Sequence, residues 1–144
     1  MTTERVPRLY FQNNAGRILL DPAGFLRAVW GRGPRTLADT RGLFTHMQRA
    51  LQEHGWSRIL VNQLSMQPFS PEEQHWVAHE WLPQGVGVGG YRHGAVIVSP
   101  EVLVRLATAY VTTHVQGLPL TYRSFEAEST AVHWLLQQPA APLS

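Results

Sequence analysis

The sequence contains no cysteine, which excludes disulfide bonds, a thiol nucleophile and cysteine ligands for a metal. It also contains no lysine, because all twelve basic residues are arginine, and this excludes a Schiff-base lysine and a phosphate-loop lysine. No run of about 18 or more apolar residues is present, so we predict no membrane span. The first residues lack the apolar core of a secretory signal, and we therefore expect a cytoplasmic location.

The composition is typical of one globular domain. Of 144 residues, 44% are hydrophobic and 15% are charged, which supplies enough apolar material for a single core. The net charge is +2 and the arginines are spread along the chain, whereas nucleic-acid binders concentrate basic charge on one face. We therefore predict a single domain over residues 1–144, with frayed ends at 1–7 and 139–144 and no nucleic-acid binding.

Short apolar segments alternate with turns and amphipathic segments in the order β-β-β-α-β-α-β-α-β-α. Asn/Gly and Pro/Gly turns separate the first three strands and predict an antiparallel meander, and the later strand–helix alternation predicts parallel pairing. The fold class is therefore α/β, with a mixed sheet of about five to six strands flanked by about four helices. The strands are expected at residues 8–12, 17–20, 25–30, 58–62, 91–98 and 120–125.

The helical segments show capping residues and apolar stripes. Thr36 and Asp39 have capping-box spacing, and that helix should end at Gly55. Two further helices should begin at the Ser-Pro-Glu sequences of Ser70 and Ser99, and a fourth should contain Ala131. The strands expected at or near the centre of the sheet contain Ile59, Val96 and Tyr122. The residues expected in the buried layers are Leu43 or Phe44, Trp81, Leu106 and Trp134.

The second helix, over residues 71–82, is the most informative segment. Ser70 should cap it, Pro71 suits its first position and Glu73 completes a capping box. Pro83 should end it, and the glycine-rich stretch 83–90 should then form a flexible connector, with Gly85 closing the helix.

Glu72, His75 and His79 share one arc of this helix, which is roughly the arrangement of three ligands for a divalent metal. Zinc proteases, however, have glutamate directly after the first histidine, and this chain has Trp76 there. We therefore predict that both histidines are exposed and that no metal is bound tightly. Three other histidines, His93, His114 and His133, occur singly.

Other catalytic arrangements are missing from the sequence. There is no Gly-x-Ser-x-Gly elbow, and the glycine run leaves a helix to enter a strand, whereas a dinucleotide loop leaves a strand to enter a helix. We therefore assign no catalytic residue and no cofactor, and we favour a protein that is not an enzyme.

Four pieces of the sequence carry a family resemblance. They are Val29-Trp30-Gly31, the strand 58–62, the segment 70–83, and Phe125 together with Ala131, Trp134 and Leu135. With these pieces, the chain resembles small bacterial STAS-like or SEC14-like proteins, fold relatives of anti-sigma-factor antagonists that are mostly uncharacterised. The resemblance implies a mixed sheet flanked by helices.

Anti-sigma-factor antagonists carry a phosphorylatable serine at the start of the helix after the central strand. Ser65 and Ser70 lie near that place, but Ser65 follows Asn-Gln-Leu in place of the usual Asp-Ser context. Because Ser70 is explained as a helix cap, we predict no phosphorylation site.

Three functions follow as hypotheses. The first is a non-enzymatic interaction or regulatory module whose unknown protein partner binds around the second helix. The residues expected to bind that partner are Trp76, Glu80, Trp81 and Tyr91. The second is binding of a small apolar, lipid-like ligand between this helix and the sheet, and the third is a metal-dependent enzyme using Glu72, His75 and His79. A homodimer is compatible with these functions.

Overall fold

One mixed six-stranded sheet organises the chain, in a computed structural model that describes residues 6–141. The strands lie side by side in chain order, antiparallel from β1 to β3 and parallel from β3 to β6. The α/β class, the N-terminal meander and the parallel second half are therefore confirmed. The strands are β1 (Arg8–Asn13), β2 (Gly16–Asp21), β3 (Phe25–Trp30), β4 (Arg58–Asn62), β5 (His93–Ile97) and β6 (Thr121–Phe125).

Helices cover both faces of this sheet unequally. The helices are α1 (Leu37–His54), α2 (Pro71–Trp76), α3 (Leu82–Gly87), α4 (Val102–Thr112) and α5 (Glu128–Leu136). A π-helical turn (Val77–Trp81) joins α2 to α3, and a 3-10 turn (Thr113–Val115) follows α4. The first four helices share the larger core on one face, and α5 packs on a smaller core on the other. Between residues 6 and 141, no helix combines the length and hydropathy that crossing a bilayer requires.

The first helix forms as its sequence predicts. The Thr36 hydroxyl accepts a hydrogen bond from the Asp39 N–H, and the Asp39 carboxylate accepts one from the Thr36 N–H. The helix ends at Gly55, whose left-handed φ of 64° is readily adopted by glycine. Leu43 and Phe44 are buried on its inner face, as expected.

The second helix differs from the prediction at its end. Ser70 and Glu73 form the expected capping box, but the helix does not stop at Pro83 and continues to Gly87. The π-helical turn widens the helix just before Pro83, so that the Leu82 N–H bonds to the Val77 carbonyl. This widening accommodates the ring of Pro83, which would otherwise clash with the preceding turn of the helix. Gly85 therefore lies within the helix, and does not close it.

Helix α4, the third helix of the sequence prediction, also differs from that prediction in two ways. Ser99 does not cap it, because Glu101 is the N-cap residue and the Ser99 hydroxyl accepts a hydrogen bond from the Glu101 N–H. Leu106, expected in the core, is 63% exposed, while Val104 and Val111 are buried. The helix is apolar around most of its circumference, so its periodicity did not identify the buried face.

The position of β6 in the sheet and the burial of one tryptophan also differ from the prediction. β6, expected near the centre through Tyr122, is an edge strand because the chain-order arrangement places it last. Trp81 is buried as expected, whereas Trp134 is half-buried.

Part of the C-terminal segment that was predicted to fray is held to the domain. The Ser57 N–H donates to the Ala140 carbonyl, and the Ser57 hydroxyl donates to the Pro139 carbonyl. Residues 1–5 and 142–144 of the predicted tails lie outside the described residues.

A buried ion pair joins three separate segments. Arg35 Nε lies 2.7 Å from Glu73 Oε2, and the two side chains are 4% and 7% exposed. Arg35 also donates to the Pro68 carbonyl, while Glu73 accepts from the Thr40 hydroxyl and from the Ser70 N–H. Burial opposes the ionisation of Glu73, but its hydrogen bonds to Arg35, Thr40 and Ser70 outweigh burial and lower its pKa. The pair therefore fixes the start of α1, the loop after β4 and the start of α2.

We predict that the substitution Glu73→Gln lowers the free energy of unfolding by about 3 kcal/mol at neutral pH, because it leaves a buried guanidinium without its charged partner. Urea unfolding of the variant beside wild type measures this loss. Glu72→Gln, at the exposed neighbouring residue, is the matched control and should change stability by less than about 0.5 kcal/mol.

The pH dependence has a defined sign. The folded pKa of Glu73 is below its ordinary value of 4.5, so its contribution is complete above that pH. The contribution disappears as the pH falls through the lowered folded pKa, and the difference between wild type and Glu73→Gln should shrink there. Equal stability of the Glu73 and Glu72 variants at neutral pH would contradict the assigned role.

Candidate functional site

A cleft opens between α4 and the edge strand β6, at the carboxyl ends of the parallel strands. Its volume is about 840 Å³. Gln63 enters it just after β4, Val98 just after β5, and Phe125 at the end of β6. Ligands of open α/β sheets bind at the carboxyl ends of the strands, and this volume is within the range of small-molecule sites. The cleft is therefore the candidate functional site.

The walls of the cleft combine apolar surface with hydroxyl groups. The side chains from α4 are Arg105, Thr108, Ala109 and Thr112, and those from β6 include Tyr122 and Ser124. The turn after α4 supplies Val115, Gln116, Gly117 and Leu118. The charged members, Arg105 and Glu126, are exposed and lie at the rim. The interior of the cleft therefore suits an uncharged, partly apolar group.

Gln63 is the polar residue that stands out. It is 2% exposed, its main chain donates to the Ile97 carbonyl, and its side-chain Nε2 donates to the Thr108 hydroxyl at 3.2 Å. Its Oε1 is buried and has no hydrogen-bond partner among residues 6–141. A buried amide oxygen without a donor costs about 1–3 kcal/mol, and a bound molecule with an N–H or O–H group would supply the donor.

Behind Gln63 lies a small internal cavity of about 50 Å³. Its walls are mainly aromatic and aliphatic, including Trp30, Phe69 and Trp81 from the larger core. Gln63, Thr108 and Tyr122 line both the cavity and the cleft. The hydrogen bond between Gln63 and Thr108 therefore lies on the boundary between an open polar-rimmed cleft and a smaller apolar space.

The tyrosines beside this boundary stay neutral. Burial raises the pKa of Tyr122, and burial together with the neighbouring Tyr122 raises the pKa of Tyr91 well above its ordinary value. Among the described residues that line the cleft there is no histidine, and Glu126 is the sole carboxylate. The hydroxyls of Thr108 and Ser124 line the cleft and can take part in hydrogen bonds. The arrangement supports the binding of a small molecule with polar groups.

The structure brings three of the four residues predicted to bind a partner, Trp76, Glu80 and Trp81, to one groove and places Tyr91 elsewhere. Trp81 and Tyr91 are 4% and 3% exposed, and the Trp81 indole N–H donates to the Phe44 carbonyl at 2.8 Å. Both line the internal cavity. Glu80 is exposed and Trp76 is half-buried, and these two residues line a groove against α1 to which Trp81 also contributes.

The histidines of the second helix lie where the sequence predicts. His75 and His79 are exposed, and their rings are tilted by 43° to each other with centroids 4.5 Å apart. His114, expected to stand alone, packs edge-on against His79 at 4.7 Å. No nearby sequence signal could have shown this contact, because it depends on how α4 packs beside α2.

The metal and phosphorylation candidates gain no further support. Within the described range, no group of three or more histidine, aspartate or glutamate side chains could hold a metal ion, and Glu72 with its two histidines forms no such group. Ser70 accepts the hydrogen bond from the Glu73 N–H that caps the helix, and Ser65 is half-buried in the loop after β4.

Sequence reasoning missed the cleft residues. Gln63 looked like an ordinary loop residue, and Thr108 lay on a helix whose inner face was assigned incorrectly. The one signal available was the position of Gln63 directly after a buried strand, where ligand-binding residues of α/β proteins are often found.

The chain matches no protein-family model, and comparisons with curated proteins and with solved structures also find no match. The resemblance to STAS-like or SEC14-like proteins therefore stays a prediction. The geometry described above carries the functional argument on its own.

We predict that Gln63→Leu raises the free energy of unfolding by about 1 kcal/mol, because it removes a buried acceptor that has no donor. Gln74→Leu is the matched control, since the Gln74 amide is half-buried and donates to the Phe69 carbonyl at 3.0 Å. That variant should lose about 1 kcal/mol. Urea unfolding of both variants measures the difference. A loss of more than about 2 kcal/mol in Gln63→Leu would show that the amide has a structural role instead.

Proposed function

We propose that the protein binds a small amphipathic molecule in the cleft between α4 and β6 and catalyses no reaction on it. The observation that carries this proposal is the unpaired Gln63 Oε1, buried at the junction of the cleft and the internal cavity. Native proteins leave few such groups without partners, and those that remain call for a specific explanation.

The lining indicates the chemistry of the ligand. An apolar portion would pack against the walls formed by Val98, Leu118 and Leu120, and a hydroxyl or amide N–H would donate to Gln63 Oε1. Thr112 and Ser124 offer further hydrogen bonds along the cleft. Because the charged residues lie at the rim, an uncharged polar head is favoured over an ion in the interior.

The cleft therefore favours the ligand-binding hypothesis over the interaction module, but it lies between α4 and β6 and not between the second helix and the sheet, where the ligand was predicted from the sequence. A cytoplasmic location and a regulatory role related to STAS-like proteins belong to the proposal as its biological setting. The lack of cysteine is what favours that location.

A second candidate function is protein binding by the outer face of α4. This face is an apolar patch formed by Val102, Leu103, Leu106 and Tyr110, of which the three aliphatic side chains are 63–68% exposed. Contiguous exposed apolar surface of this kind is typical of interaction sites. The patch and the cleft lie on different sides of one helix, so single substitutions can distinguish them.

The test uses the fluorescent dye N-phenyl-1-naphthylamine, a small uncharged probe whose amine N–H can donate to Gln63 Oε1. Ala109→Trp fills the cleft from the exposed side of α4 without touching the core, and it should weaken dye binding at least about tenfold. Leu106→Ala removes the largest aliphatic contact in the middle of the outer patch and should leave dye binding unchanged. Fluorescence titration measures both, with circular dichroism to confirm that each variant is folded.

The reverse pattern would contradict the proposal. If Leu106→Ala abolishes dye binding and Ala109→Trp retains it, the dye binds the outer face of α4 and the second candidate is favoured. Absence of saturable dye binding by the wild-type protein would also count against a ligand site in the cleft.

A further inference from the structure

The edge strand β6 has unused hydrogen-bonding groups along its free side. Thr121 donates its N–H to the Arg92 carbonyl, and the Phe125 carbonyl accepts from the Val98 N–H, so these residues face β5. The main-chain N–H and C=O groups of one strand residue point to one side of the strand, and those of the next residue point to the other side. The main-chain groups of Tyr122 and Ser124 therefore point away from the sheet, and no strand among residues 6–141 pairs with them.

The opposite edge of the sheet is protected and β6 is not. β1 follows Pro7 and contains an irregularity between Leu9 and Phe11, and a bulge of this kind prevents regular pairing. β6 has an uninterrupted register with β5 and contains no proline. Arg123 is its single charged residue, so pairing is possible in any register that keeps two copies of Arg123 apart.

We propose that the chain forms a homodimer by antiparallel pairing of β6 with β6 of a second copy, centred on Ser124. The sheets of the two copies would then continue across the interface. Because Tyr122 and Ser124 line the cleft, the second copy would also close the side of the cleft that is open at the sheet edge.

The side chains determine the register of the two β6 strands, that is, which residues lie opposite each other. With Ser124 on the twofold axis, the outward main-chain groups of Ser124 bond to those of Ser124 of the second copy, and Tyr122 lies opposite Glu126 of that copy, the residue directly after the strand. Arg123 then faces Phe125 of the second copy. The same contact type occurs within one chain, where the Arg123 guanidinium lies 5.4 Å from the Phe125 ring centre.

The neighbouring register is unfavourable. Pairing centred on Arg123 would place two guanidinium-bearing residues directly opposite each other, with their Cα atoms about 4.5 Å apart. Like charges in directly opposed positions destabilise antiparallel pairs. Charge therefore excludes Arg123 as the centre of the interface, and the contact of Arg123 with Phe125 of the second copy favours Ser124.

The dimer does not require the cleft to bind a ligand. It depends on the free edge of β6, whereas ligand binding depends on Gln63, so measurements of oligomeric state and of dye binding can fail separately. A strand of five residues buries less surface than a standard interface, and we expect a dissociation constant in the micromolar range, about 1–100 μM.

Sedimentation equilibrium of the wild-type protein from about 1 μM to about 1 mM should show a concentration-dependent dimer. Ser124→Glu and Ser124→Lys each place like charges opposite each other at the axis, so each should dimerise about tenfold more weakly. An equimolar mixture of the two variants should restore or exceed wild-type association, because opposite charges then meet. Ser129→Glu and Ser129→Lys, at an exposed serine of α5, are matched controls and should behave as wild type.

Two outcomes would overturn the proposal. The first is a wild-type protein that stays monomeric over the whole concentration range. The second is a dimer that Ser124→Glu and Ser124→Lys retain at wild-type strength, which would place the interface elsewhere. Restored association in the mixture also excludes misfolding as the reason for weak association of the single variants.

Discussion

The buried ion pair of Arg35 and Glu73 fixes the part of the molecule on which the candidate site depends. Arg35 lies over the rings of Trp30 and Phe69, with its guanidinium carbon 5.2 and 5.7 Å from their centres. Both rings line the internal cavity behind Gln63. The ion pair therefore joins the loop after β4 to α1 and α2, and it also holds the aromatic walls of that cavity in place. A rigid wall of this kind keeps a small cavity open, since side chains could otherwise relax into the space.

Local signals in the sequence predicted most of the fold. The capping boxes at Thr36 and Ser70 and the strands β3 and β4 agree with the structure, because they depend on neighbouring residues and hydrogen bonds within a few positions. The end of the second helix could not be predicted in this way. Pro83 normally ends a helix, and the π-helical turn that accommodates it has no known local signature in this chain.

Features that depend on tertiary packing could not be predicted from the sequence. The apolar residues of α4 surround most of the helix, so periodicity could not distinguish its inner from its outer face. Arg58 is a second example: this buried guanidinium donates to backbone carbonyls of the Ala23–Gly24 turn and of Gln138, and nothing near it in sequence indicates those acceptors. The unpaired Gln63 Oε1 could not be predicted either, because only the packed structure shows that no hydrogen-bond donor from residues 6–141 reaches it.

The site and the proposed dimer use the same edge of the sheet in different ways. α4 separates the cleft on one side from an apolar patch on the other, and β6 forms the border of the cleft at the edge of the sheet. A second copy paired along β6 would turn an open cleft into a more enclosed one, which favours burial of the apolar part of a ligand. Ligand binding and dimerisation would then support each other, because each state stabilises the same closed arrangement.

The most direct measurement of the central claim is an NMR titration of isotope-labelled protein with the uncharged dye N-phenyl-1-naphthylamine. The side-chain amide of Gln63 gives its own resonances, so the group that carries the argument can be observed separately from the main chain. The account predicts saturable shifts of this side chain and of main-chain amides around Thr108, Leu118 and Ser124, with small changes at Leu103 and Leu106. Shifts confined to the outer face of α4, with the Gln63 side chain unaffected, would contradict it.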